Sequence, residues 1–273
     1  MTPIEKIHTF ARRWCMQRAA ELRQRHDLAK QRSGFDGDRS VDTRIAILEA
    51  IQLEVELLTP ADFTSRQHAA LRLIELKDAM PTHARLQPMR RHVHNQELIR
   101  EECDSFAKAI RQFAEQQDWK HWSVEPLPYR RTLGEQERTD LLARLWERWS
   151  IVKEWSAPLD QLDLPYKAMV FDSKAIEAGL SAELLRSALA KQGITRLYEL
   201  CEISREPSFE IDIALWEPHA TEWTGAYSLT DAMDWLYYIT MDGATLVIGD
   251  WLLAQIKAGW PEWKENLWKA PAG

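Results

Sequence analysis

The spacing of apolar positions changes character part-way along the chain. In "IEKIHTFARRWCMQRAAELRQRHDLA", Ile4, Ile7, Phe10, Ala11 and Trp14 recur three and four residues apart, which predicts a helix with one buried side. "SGFDGDRS" (33–40) reads as a loop by its Gly and Asp content. "VDTRIAILEAIQLEVELL" predicts a second helix. Thr59 and Pro60 predict the start of a third, as cap and first-turn proline, running through "ADFTSRQHAALRLIELKDAM" to Pro81. A fourth is expected over residues 87–118. Four antiparallel helices joined by short loops predict a bundle.

After the Pro-rich stretch "VEPLPYR" (124–130) comes one more helical pattern, "LGEQERTDLLARLWERWSIV", with Leu141, Leu142, Leu145, Trp146 and Trp149 on one side. The period then falls to two. "KAMVFD" and "TRLYELCEI" are β-prone. "SFEIDIALWEP" alternates, with Phe209, Ile211, Ile213 and Leu215 facing one way and Glu210, Asp212 and Trp216 the other, which predicts a half-buried strand. "WLYYITM" and "ATLVI" flank Asp242-Gly243, a pair that predicts a two-residue type I′ hairpin. "SAELLRSALAKQG", with Ser181 as cap, and "WLLAQIKAG" predict helices. The fold class expected is α+β: an N-terminal helical bundle, then a mainly antiparallel four- to five-stranded sheet with helices packed to one side.

Charge and tryptophan divide at the same place. Residues 1–118 carry 19 Lys+Arg against 18 Asp+Glu, and residues 119–273 carry 16 against 24. Twelve of the 13 tryptophans lie from Trp119 onward. Two domains are therefore expected, a helical bundle over 1–123 and an α+β domain over 124–273.

Several function classes drop out. No run approaches the ~18–20 apolar residues of a membrane helix. The N-terminus lacks the apolar core of an export signal, so a cytoplasmic location is expected. Cys15, Cys103 and Cys201 are too far apart in sequence for a zinc motif, and an odd count argues against a disulfide framework. Ten glycines and no phosphate-binding loop argue against a nucleotide enzyme, and no cofactor is expected. His92 and His94 would point apart on a helix and could share a metal only on an extended segment, so no metal site is expected there. Arg85, Arg90, Arg91 and Arg100 form a basic cluster without interleaved aromatics, so nucleic acid is not the expected partner.

Two candidate chemistries remain. "EPHATEW" gathers Glu217, His219 and Glu222 in a loop after a strand, where a carboxylate beside an imidazole suits a hydrolase-like general base. Cys201 and Ser228 are the available nucleophiles. The other is recognition. Between Cys201 and Ile256 stand ten acids and one base, Arg205. One sign of charge steers an opposite partner, and tryptophan anchors contacts. The expected partner-binding set is Glu210, Asp212, Trp216, Glu217, Glu222 and Trp223. The function expected is a bacterial-type interaction protein, an immunity protein or inhibitor that caps a basic toxin or enzyme. The likeness to immunity proteins of interbacterial toxins lies in this acidic, Trp-rich style and in no identifying motif.

Overall fold

The computed structural model describes residues 1–33, 39–116, 124–149, 167–203, 206–218, 225–240 and 243–268. These residues form eight α-helices and a seven-stranded antiparallel sheet, distributed over two compact units, Met1–Leu127 and Pro128–Gly273.

The first unit contains α1 (Pro3–Ser33), α2 (Arg39–Leu57), α3 (Arg66–Ala79) and α4 (Val93–Glu115). The stripe that begins at Ile4 buries Ile7, Ala11 and Cys15 against Ile51 and Val55 of α2, Leu73 of α3 and Phe106 and Ile110 of α4. Helix α3 starts later than Thr59-Pro60 suggests. Thr59 caps only one 3₁₀ turn, Pro60–Asp62, because Phe63 is extended at φ −112° and is buried. The helix proper follows Ser65, whose hydroxyl accepts the His68 N–H at 3.1 Å. Helix α4 is likewise shorter than expected, since three 3₁₀ turns occupy the chain from Met80 to Arg91.

Charges inside this unit are paired, as buried charges must be. Arg12 Nε donates to Glu56 at 3.1 Å, and Gln52 adds a second donor to the same oxygen at 2.9 Å. Glu102 of α4 is 1% exposed and accepts from Arg18 and Arg44. The last turn of α2 has no basic residue. His8 supplies a donor there instead, its Nε2 lying 2.9 Å from the Val55 carbonyl and 2.8 Å from that of Leu58. Burial holds the His8 pKa below its ordinary value.

The second unit is built on β1 (Arg130–Thr132), β2 (Ala168–Asp172), β3 (Arg196–Cys201), β4 (Phe209–Asp212), β5 (Ala226–Leu229), β6 (Leu236–Ile239) and β7 (Ala244–Ile248), in the order β1-β4-β3-β5-β6-β7-β2. Seven strands correct the expected four to five. The two that the pattern missed, β1 and β5, have three and four residues, too few to display a period. The strand "SFEIDIALWEP" is also shorter than its alternation implies. It ends at Asp212, and Ile213–Leu215 turn as a 3₁₀ helix.

Helices cover both faces of this sheet, which corrects the one-sided arrangement. α5 (Glu135–Trp149) buries Leu141, Leu142, Leu145 and Trp149 on Leu200, Tyr227, Leu229, Tyr238 and Leu246. The opposite face meets α6 (Ser173–Gly179) and α8 (Asp250–Gly259), and α7 (Ala182–Lys191) packs on α8 and on the 3₁₀ turn after β4. There Ser173 hydrogen-bonds Thr245 at 2.8 Å, and Phe171 packs on Trp260. All five residues of β7, "ATLVI", are buried, as in a strand covered on both sides.

The β6–β7 connection is not a two-residue turn. Ile239 pairs with Thr245, and the Thr240 N–H reaches the Ala244 carbonyl at 2.8 Å, leaving three residues between. Gly243 closes it at φ +77°, the left-handed residue that ends three-residue loops. Asp242 lies outside the described residues.

Candidate functional site

Antiparallel pairing decides which side chains share a face of the sheet. Glu199 stands opposite Phe209 on β4 and Ser228 on β5, and Cys201 stands opposite Ala226. Arg130 of β1 pairs with Ile211. All seven line one cleft of about 260 Å³ on the face that carries α6 to α8. The segment that follows β4 forms its wall, with Leu215, Trp216, Glu217 and Pro218. The lining is mostly apolar, and Glu199 is partly accessible within it.

Glu199 has no hydrogen-bond partner among the described residues. Burial pushes its carboxyl up to about 7, Glu217 pushes the same way, and Arg130 pulls against both. The Arg130 guanidinium lies over the Phe209 ring, 4.1 Å from its centroid. A carboxylate held near neutrality in an apolar recess can bind a cation or exchange a proton.

Trp216 is firmly placed. It is 1% exposed, and its indole N–H donates to Ser228 Oγ at 2.9 Å. Its ring meets Trp235 and Tyr237 edge-on at 6.1 and 5.6 Å, and Arg186 of α7 donates to its carbonyl at 2.9 Å.

Among the described residues, those expected to form an acidic partner face lie in separate places. Glu210 accepts from the Tyr129 hydroxyl at 3.0 Å and from Arg131 at 3.1 Å. Asp212 accepts the Tyr129 N–H at 2.6 Å and lies 3.5 Å from Arg196. Both carboxylates hold β1 and β3 to β4, on the face away from the cleft. Trp216 is buried core and not an exposed anchor, because the 3₁₀ turn after Asp212 swings it to the other side. Glu217 is open to solvent at the cleft mouth, with a side chain 70% exposed and Arg186 at 3.8 Å. Glu222 and Trp223, and the candidate base His219, lie outside the described residues.

The two nucleophile candidates do line the cleft. Burial pushes the Cys201 thiol up, away from thiolate. Ser228 Oγ accepts from Trp216. All three cysteines are free and buried. Among the described residues no three His, Cys, Asp or Glu side chains gather as a metal site, and no helix is long and apolar enough to cross a membrane. Of the late tryptophans, Trp260 is buried, while Trp263 is half-buried under Lys257 at 4.7 Å.

Glu199 and Arg130 escape sequence reasoning. The available signal is alternation in "RLYELC": Leu197, Glu199 and Cys201 share a face, so one acid stands between two buried apolar residues. No protein-family model, curated protein or solved structure matches the chain.

Proposed function

We propose that this protein is an interaction module of the immunity or inhibitor kind, which acts in the cytoplasm by binding a basic protein partner. The recognition centre is the Glu199 cleft, with Glu217 at its mouth. The observation that carries this reading is Glu199 itself, an acid set in an apolar recess and unpaired among the described residues. A carboxylate desolvated in this way is costly to charge, and a cation entering the recess offsets that cost. The surrounding charge agrees: residues 119–273 hold 24 acids against 16 bases, a field that speeds encounter with a basic surface.

Affinity capture from the native host tests the reading, with the full chain and its Glu199→Gln/Glu217→Gln double variant run in parallel. A basic protein retained by the wild type and lost from the double variant is the expected result. Capture of the same basic protein by both forms refutes the Glu199 cleft as the recognition centre, and capture of no basic protein by the wild type refutes the interaction reading.

A second reading has one specific observation in its favour. A carboxyl held at about 7 is poised as a general acid or base, which would make Glu199 the centre of a hydrolase-like site. Hydrolysis of simple ester or amide substrates that disappears in Glu199→Gln would support that reading over binding.

A further inference from the structure

The cleft also specifies the chemistry of what fills it. Building on the binding-module reading, we propose that it seats one lysine side chain of the basic partner, with the aliphatic stem along the apolar walls and the ammonium on Glu199.

Size is the first argument. Pockets for drug-sized ligands run roughly 300–1,000 Å³. A recess of about 260 Å³ lies below that range and matches a single side chain better than a nucleotide or a cofactor. Lining is the second. Ile211, Leu215, Trp216 and Ile239 are among the apolar groups a methylene stem would desolvate, and polar lining is the minor part. Polar placement is the third. The Glu199 carboxylate and the second lone pair of Ser228 Oγ, on the adjacent strand, offer acceptors for an ammonium with three donors.

The carboxylate of Glu199 selects a cation. Among the described residues, the ionisable groups lining the cleft are Arg130 from β1, Glu199 and Cys201 from β3, and Glu217 from the segment after β4. The thiol is neutral, and Arg186 lies 3.8 Å from Glu217 at the mouth, so the acceptor left for an ammonium inside the recess is the Glu199 carboxylate. The same arrangement disfavours arginine. A guanidinium needs a flat bidentate acceptor and gains from stacking on an aromatic face. Arg130 already occupies the face of Phe209. A lysine ammonium is a compact point charge and needs neither.

The test uses Nα-acetyl-lysine methylamide as a mimic of an in-chain lysine. Binding is followed through the indole N–H resonance of Trp216, assigned with Trp216→Phe. The lysine mimic is expected to shift that resonance saturably, and the norleucine and arginine equivalents to bind at least tenfold more weakly. Glu199→Gln should weaken the lysine mimic tenfold or more while the chain stays folded, with a thermal transition no lower than that of the wild type, and the surface variant Glu217→Gln should weaken it less. Because Glu199 titrates near 7, affinity should rise about tenfold between pH 6 and pH 8, as the carboxylate fraction grows. Equal binding of norleucine, unchanged binding by Glu199→Gln, or preference for butyrate would overturn the assignment. Free n-butylammonium, which carries the same stem and ammonium, is expected to bind comparably to the lysine mimic, and failure to bind would overturn the side-chain assignment. The outcomes separate the two readings. Partner capture that survives both Glu199→Gln and excess lysine mimic removes the cleft assignment alone. Tight mimic binding with no partner captured removes the interaction reading alone.

Discussion

Replacing Glu199 by Gln should make the protein more stable, and the gain should depend on pH. The carboxyl titrates at about 7 when folded and at 4.5 as its reference value, because burial opposes its charge. Between those values the folded chain holds a proton that the unfolded chain has released. Stability therefore falls as pH rises from 4.5 to 7 and levels off above 7. At 1.36 kcal/mol for each pH unit of displacement, the whole effect is about 3 kcal/mol. Gln carries no charge, so the variant lacks this slope. The difference between variant and wild type should be small near pH 4.5 and should grow by about 3 kcal/mol by pH 8. Urea unfolding of the full chain at pH 4.5, 6, 7 and 8, followed by tryptophan fluorescence, measures it. Ten of the 13 tryptophans belong to the unit that contains Glu199, so the signal reports the right transition. A gap that stays constant with pH, or a wild type that is the more stable form at pH 8, would refute the desolvated carboxylate.

Three further substitutions probe the frame. Ser228→Ala leaves the buried Trp216 N–H without its acceptor and should cost about 1–3 kcal/mol in urea unfolding, where a neutral result would mean the indole finds another partner. Glu102→Ala removes the shared acceptor of Arg18 and Arg44 in the helical unit. Its cost should be about 3 kcal/mol, the low end for a broken buried pair, since both arginines reach solvent, and helical circular dichroism during unfolding measures it. Gly243→Ala should cost about 1 kcal/mol from its φ of +77° alone, as nothing lies within 4 Å of an added Cβ. Gly249→Ala should cost clearly more by the same measurement, because at φ +116° its Cβ would also sit 2.9 Å from that of Trp235; equal costs would discount the clash.

Local periodicity was enough to find α1 to α4, α5 and the β6–β7 hairpin, because a helix stripe or a strand run is written in neighbours a few residues apart. Charge and tryptophan counts set the near-neutral first part apart from the acidic, Trp-rich second part. Periodicity failed where a residue's surroundings come from far along the chain. Glu210 and Asp212 read as a free acidic face, yet Tyr129 and Arg131, some 80 positions earlier, claim them once β1 joins β4. Trp216 read as a residue of the exposed face because alternation was extended past Asp212, where the backbone leaves the strand. Glu199 was visible as one acid between Leu197 and Cys201, but nothing nearby marked it as a site. Its recess needs β1, β4 and β5 as neighbours and the Trp216 wall behind it. Periodicity reports which way a side chain points; desolvation and charge pairing depend on which distant segments arrive there, and only the tertiary structure decides that.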